Sequence, residues 1–78
     1  MQIAVCDDEK EIRDMFAEKI GQLYPKADLP LYQSGEELLL SDNEPDILLL
    51  DIKMPGKNGM ETARELRKKN KITIIIFV

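Results

Sequence analysis

Short apolar runs alternate with amphipathic segments along this chain of 78 residues. Four of the runs predict β-strands, because each is short and most are rich in branched side chains and flanked by turn or polar residues. Three other segments repeat apolar residues at intervals of three or four, which is typical of helices that bury one face. The predicted strands are Gln2–Cys6, Leu29–Gln33, Ile47–Leu50 and Ile72–Val78.

The first predicted helix runs from about Lys10 to Leu23. Asp7 or Asp8 is expected to cap its start, and Pro25 marks its stop. Its apolar side chains recur at helical spacing and predict one buried stripe. That stripe consists of Ile12, Met15, Phe16, Ile20 and Leu23.

Two further helices are predicted from their start signals. Ser34 followed by Glu37 is typical of a capping box before a short helix that ends near 41–43. Asn58 followed by Glu61 is the same signal for a third helix. The buried edge expected for that third helix consists of Met60, Ala63 and Leu66.

Strands that alternate with helices predict an α/β fold with a parallel sheet and right-handed crossovers. Ile47–Leu50 has four consecutive apolar residues, which is typical of a strand buried on both faces. Ile72–Val78 carries no charge and is also predicted to be a buried strand.

Composition excludes several classes of function. The formal net charge of −4 argues against a nucleic-acid interface, and the longest apolar run is far shorter than a membrane span. Cys6 is the only cysteine and there is no histidine, so neither a disulfide nor a zinc cluster is expected. With no secretory signal visible, the expected location is the cytoplasm.

Three acidic residues follow predicted strands. Asp7 and Asp8 end the first strand and Asp51 ends the third, so they are expected at the same edge of a parallel sheet if those strands are neighbours. Like charges at close range repel, which leaves two outcomes: one carboxylate takes up a proton, or a hard cation binds. Mg²⁺ with phosphate oxygens suits such a cluster. Helix capping is the simpler alternative, but it accounts for only one acid at the end of the first strand.

The sequence resembles the receiver domain of two-component response regulators. The matching features are the Asp7-Asp8 pair, Asp51 after Ile47–Leu50, and a turn built from Met54-Pro55-Gly56 and Asn58-Gly59. The resemblance runs through the chain and implies a flavodoxin-like parallel fold. Cys6 before the acidic pair is similar to the branch that carries LytTR-type DNA-binding domains.

The resemblance implies a role for each site residue. Asp51 would accept a phosphoryl group from a histidine kinase. Mg²⁺ would be bound directly by Asp8 and Asp51, by Asp7 mainly through water, and by the backbone carbonyl of Lys53. The implied activity is that of a signalling module rather than an enzyme that turns over, with transcription regulation through an output domain as the habit of the family.

The chain departs from the family pattern near its end. Receivers have five strands and five helices, whereas the last predicted strand here is the fourth, Ile72–Val78. Residues 1–78 are therefore expected to form a partial receiver domain without the fourth helix, fifth strand and fifth helix. Receivers also carry a switch Ser or Thr after the fourth strand and a Lys after the fifth strand that contacts the phosphoryl group. Neither residue has a counterpart here. An apolar fourth strand at an open edge predicts a homodimer or a domain swap.

Three rival functions remain at the level of sequence. The first is a receiver fragment that cannot be phosphorylated and acts only as an interaction or dimerisation unit. The second is a metal-dependent phosphatase, but Lys53 stands where such enzymes carry a second Asp. The third is a nucleotide hydrolase, but no Gly-x-x-x-x-Gly-Lys-Ser/Thr loop is present.

Overall fold

The computed structural model describes all 78 residues, and its core is a four-stranded parallel sheet in the order β2-β1-β3-β4. Strands and helices alternate along the chain, which confirms the predicted α/β fold. The elements are β1 (Ile3–Cys6), α1 (Lys10–Leu23), β2 (Leu31–Tyr32), α2 (Gly35–Leu40), β3 (Ile47–Leu50), α3 (Gly59–Lys69) and β4 (Ile74–Phe77).

The register of the sheet aligns the carboxyl ends of its strands. Cys6 at the end of β1 lies opposite Leu50 at the end of β3, and Leu50 lies opposite Phe77 at the end of β4. The loops that follow β1 and β3 therefore leave the sheet side by side. This edge is where ligands bind in open parallel sheets.

The face of the sheet under α2 and α3 is closed over β1 and β3. Leu48 and Leu50 are completely buried there, as are Ala4 and Cys6 of the neighbouring strand. Side chains from β2, the helices and a loop complete this cluster, which we call the α2/α3 face. They are Tyr32, Leu38, Met54 and Leu66.

The opposite face, which we call the α1 face, is covered by one helix. Ile20 of α1 packs on Ile3 and Val5, whereas Ile47 and Leu49 are only half-buried. The prediction that Ile47–Leu50 is buried on both faces is therefore wrong for its α1 side. A single helix is too narrow to cover four strands, so the outer half of this face contacts solvent.

The last strand is shorter and more exposed than predicted. It spans Ile74–Phe77 rather than Ile72–Val78, because the side-chain oxygen of Asn70 accepts hydrogen bonds from the backbone N–H groups of Ile72 and Thr73 and turns the chain there. The predicted burial is also wrong, because β4 lies at the edge of the sheet. Its exposed fractions reach 59% for Ile74.

The bounds of α1 match the prediction, but its cap and buried stripe do not. The N-cap position is Glu9, and its side chain makes no capping hydrogen bond. The Asp7 carboxylate instead accepts from the backbone N–H of Glu9, the N-cap residue itself, and not from an N–H inside the helix. Within the predicted stripe only Ile20 is buried, and Met15 and Leu23 are exposed, because α1 has no second neighbour to pack against.

The starts of α2 and α3 follow the predicted capping signals. Asn58 and Glu61 form the complete capping box of α3, whereas Ser34 accepts from the N–H of Glu37 without the reciprocal bond. Met60 was expected in the core but is 45% exposed, and Thr62 is buried in its place. The hydroxyl of Thr62 bonds the carbonyl of Asn58, which lets it be buried.

The second strand is shorter than the predicted 29–33. Leu31–Tyr32 forms regular pairs with β1, whereas Asp28 makes only an isolated bridge with Gln2. Pro30, between them, contributes its carbonyl oxygen but has no N–H to donate. None of the three helices combines the length and apolar character that a membrane span requires.

Candidate functional site

The three predicted acidic side chains come together at the carboxyl edge of the sheet. One carboxylate oxygen from each of Asp7, Asp8 and Asp51 lies within 4.8 Å of the others. Asp7 is buried, Asp51 is partly buried and Asp8 is exposed. Because β1 and β3 are neighbours, the residues that follow them are brought together without any long-range loop.

Backbone hydrogen bonds fix the two loops that carry these acids. The N–H of Asp51 donates to the carbonyl of Cys6 at 3.0 Å, so the ladder between β1 and β3 continues into the site. The N–H of Asp7 donates to the carbonyl of Tyr32 at 3.1 Å. The Asp7 carboxylate accepts from the N–H of Glu9 at 2.9 Å and closes a tight turn.

Lys53 contacts the site through its backbone. Its N–H donates to Oδ1 of Asp51 at 3.1 Å, and the residue as a whole is exposed. This bond orients the Asp51 carboxylate after the strand has ended. The ligand role expected for the Lys53 carbonyl remains a prediction.

The charges that act on the Asp51 carboxylate are those of the two neighbouring acids. Partial burial raises the pKa of the Asp51 carboxyl above its ordinary value, and the negative charges of Asp7 and Asp8 raise it further. The hydrogen bond from the Lys53 N–H lowers the pKa but does not cancel these effects. A cation at this position would relieve the repulsion, so the donor set fits a hard divalent ion such as Mg²⁺.

Cys6 lies beneath the acids and is not accessible. Its side chain is completely buried, and burial, reinforced by the charges of Asp7, Glu37 and Asp51, raises the pKa of the thiol to about 12. Its Sγ donates to the carbonyl of Ser34 at 3.4 Å. The thiol therefore stays protonated and serves as a small apolar core group.

Gly59 brings the start of α3 against the backbone of the site. Its N–H donates to the carbonyl of Ile52 at 2.9 Å. A Cβ at this position would contact the Asp51 carbonyl oxygen and lie 2.8 Å from the Cα of Ile52. Only glycine allows this approach, so the loop after Asp51 is held by a residue without a side chain.

The turn between Asp51 and α3 is held from both sides. Met54 is buried in the core below it, and Gly56 adopts a φ of +72°, which glycine tolerates best. From above, the carboxylate of Glu36 at the start of α2 accepts from the N–H of Lys57 at 3.3 Å. The turn is thereby tied to α2 as well as to its own strand.

Two residues that hold the site escaped prediction from sequence. Glu36 lies at the start of α2, and nothing local in the sequence indicates its contact with a turn 21 residues away. Arg13 donates to the carbonyl of Asp7 at 2.8 Å. Its spacing from Phe16 and Ile20 places a cation in the apolar stripe of α1, and that irregularity is the signal that could have identified it.

Comparisons with known proteins agree with this geometry. TrrA of Thermotoga maritima, solved in complex with Mg²⁺-BeF, is 37% identical, with a TM-score of 0.87. The same regulator in complex with the histidine kinase ThkA gives a TM-score of 0.83. CheY4 of Vibrio cholerae has a TM-score of 0.87 at 22% identity, which shows the likeness of the fold alone.

The matches cover nearly all of this chain but only part of the relatives. Each of the three structures aligns with 97% of this chain, which spans 66% of the TrrA chain and 65% of the CheY4 chain. The family model for the response regulator receiver domain matches residues 3–78. The chain therefore belongs to the response regulator receiver domain family.

Proposed function

We propose that this chain is the phosphoacceptor module of a two-component system and takes a phosphoryl group from a histidine kinase onto Asp51. The observation that carries the proposal is the convergence of three carboxylates within 4.8 Å, with Asp51 among them. TrrA, which is 37% identical, binds both Mg²⁺-BeF and a histidine kinase. The module is proposed to signal and not to turn over as an independent enzyme.

The residues of the site fit the proposed chemistry. A carboxylate oxygen of Asp51 would bond to phosphorus while the bond from phosphorus to the donor histidine nitrogen breaks, and that nitrogen leaves with the electron pair. Asp7, Asp8 and Asp51, with the Lys53 carbonyl, would hold Mg²⁺, which when bound neutralises charge on the phosphoryl oxygens. The Lys53 N–H orients the Asp51 carboxylate for the attack.

Intact-mass measurement after incubation with Mg²⁺ and acetyl phosphate tests the acceptor. We expect a Mg²⁺-dependent gain of one phosphoryl group that is lost in Asp51→Asn, because the amide is nearly isosteric but is not a nucleophile. Asp46→Asn is the matched control, since Asp46 directly precedes β3 and so lies at the amino ends of the strands, away from the acidic site. Labelling of Asp51→Asn, or no adduct on the folded wild-type chain, would refute the proposal.

A second proposal concerns self-association through β4. Ile74 and Val78 donate to the β3 side, so the alternation of a parallel ladder turns the N–H and C=O groups of Ile75 and Phe77 outward. This edge is uncharged and apolar, which favours pairing with β4 of a second copy. We propose a homodimer, or a swap of this strand, for the 78-residue chain.

Light scattering over a range of concentrations tests the homodimer. We expect the mass to rise from 9.0 kDa towards twice that value, and Ile76→Lys to remain monomeric because a charge on an edge strand opposes pairing. Ile72→Lys is the control, since Ile72 is 90% exposed and lies outside the strand. A wild-type chain that stays at 9.0 kDa throughout would contradict the proposal.

Four finer features stay predictions. These are the cytoplasmic location, the role in transcription regulation, the LytTR-type branch, and the assignment of residues 1–78 to the first part of a longer receiver domain. The proposed phosphoacceptor chemistry depends on none of them, because it requires only the residues at the edge of the sheet.

A further inference from the structure

Arg13 lies in the apolar stripe of α1 and is only partly exposed to solvent. It is half-buried, and it is three and seven residues before Phe16 and Ile20, which both pack on the α1 face. Its Nη1 donates a hydrogen bond of 2.8 Å to the backbone carbonyl of Asp7. Burying part of a guanidinium group is costly unless its N–H groups form hydrogen bonds, and this bond satisfies one of them.

The carbonyl that Arg13 binds belongs to the peptide between Asp7 and Asp8. Asp7 is already held at its N–H by the Tyr32 carbonyl and at its carboxylate by the Glu9 N–H. Asp8, by contrast, is exposed, and its carboxylate lies beside that of Asp51. The orientation of the Asp7-Asp8 peptide therefore sets where the Asp8 carboxylate lies relative to Asp51.

We propose that Arg13 is a positioning residue of the acidic site: it fixes the Asp7-Asp8 peptide and so keeps the Asp8 carboxylate in place for Mg²⁺. The inference rests on the proposed function. Outer groups that orient metal ligands affect metal affinity although they do not touch the ion. Arg13 acts in this way through a backbone carbonyl, from a helix that supplies no ligand.

Two substitutions separate the hydrogen bond from other effects. Arg13→Met keeps a long side chain that packs in the stripe but has no donor, and Arg13→Lys keeps a donor. Lys19→Met is the matched control, because it removes the same charge from an exposed position of the same helix. We expect Arg13→Met to weaken Mg²⁺ binding about tenfold in calorimetric titration, with Arg13→Lys and Lys19→Met within about threefold of wild type.

The same variants are compared in the absence of metal. We expect the amide resonance of Asp8 to shift in Arg13→Met, and the hydrogen exchange of the Glu9 amide, which donates to the Asp7 carboxylate, to accelerate, whereas Lys19→Met leaves both unchanged. At saturating Mg²⁺ the labelling of Asp51 by acetyl phosphate should return to within about twofold of wild type, because excess metal offsets a loss of affinity. A positioning role therefore appears in the Mg²⁺ requirement and not in the maximal labelling.

The outcomes separate this inference from the proposed function. If wild type binds Mg²⁺ and Arg13→Met binds it equally well, or if Lys19→Met weakens binding as much, the positioning role is refuted and the function stands. If wild type neither binds Mg²⁺ nor takes up a phosphoryl group, the function is refuted. The Asp8 amide in metal-free Arg13→Met then still decides whether Arg13 positions that peptide.

Discussion

The two faces of the sheet differ in how completely they are packed. On the α2/α3 face, Leu48 and Leu50 have no exposed surface, and the turn after Asp51 is anchored by buried Met54. On the α1 face, Leu49 is half-buried and Ile76 is 45% exposed. The contacts that hold the Asp51 loop belong to the closed face, so the site can be well defined in a chain whose other face is open.

The largest expected effect comes from truncating neighbouring leucines of β3 that point to opposite faces. We expect Leu48→Ala to lower the free energy of unfolding by about 2–5 kcal/mol, because it leaves a cavity in a closed cluster. Leu49→Ala should cost about 1 kcal/mol, since part of that side chain already contacts solvent. Urea denaturation followed by circular dichroism measures both.

Equal losses in the two leucine variants would contradict the comparison between the faces. They would mean that the α1 face is also closed in solution. A second copy on the β4 edge would be one cause, so the variants are compared at several protein concentrations. A loss for Leu49→Ala that grows with concentration would then indicate the homodimer.

A pair of glycines sharpens the same comparison. Gly59→Ala places a methyl group against the backbone of Asp51 and Ile52, and we expect it to cost about 1–3 kcal/mol. Gly21→Ala lies in α1, where the nearest atom would be Leu29 Cδ1 at 3.9 Å. It should stabilise the chain by about 0.5–1 kcal/mol, because alanine favours the helix.

Thermal melting and phosphoryl labelling distinguish the two glycine variants. Gly59→Ala should also reduce labelling by acetyl phosphate, since the displaced atoms belong to the Asp51 loop, whereas Gly21→Ala should label like wild type. An unaffected Gly59→Ala would show that the start of α3 moves away freely. The tight approach would then have no part in holding the acceptor.

The α2/α3 face was more predictable from sequence than the α1 face. Capping signals at Ser34 and Asn58 are local, and they located the starts of both helices. The acids at positions 7, 8 and 51 were assigned to one edge because parallel strands bring their carboxyl ends together, and the structure places them there. Rules that depend on a few adjacent residues therefore found the elements that build the site.

The features that escaped prediction depend on distant neighbours. The sequence predicted that β3 is buried on both faces and that β4 is buried. Either outcome would need covering elements on each side of the sheet, and an apolar run alone does not reveal whether they exist. Met60 has the spacing of a core residue, but α3 turns Thr62 inward because its hydroxyl is satisfied within the helix. Arg13 and Glu36 act on backbone groups of other loops, and side-chain-to-backbone contacts across the fold leave little trace in sequence.

The smallest expected effect separates charge at the site from packing on either face. Asp8→Ala removes one of three clustered carboxylates, and because Asp8 is exposed the relief of repulsion is modest. In Mg²⁺-free buffer of low salt we expect the melting temperature to rise by about 2–4 °C, given about 4–8 °C per kcal/mol in domains of this size.

Added Mg²⁺ should reverse this ranking of wild type and Asp8→Ala. The wild-type chain gains stability from any ion that binds only its folded state, whereas Asp8→Ala has lost a ligand and should gain less. Asp42→Ala is the control, since it removes the same charge from an exposed loop before β3, at the opposite edge of the sheet. If Mg²⁺ raises the melting temperatures of wild type and Asp8→Ala equally, Asp8 is not a ligand. Asp7 and Asp51 would then be left as the only carboxylates of the site.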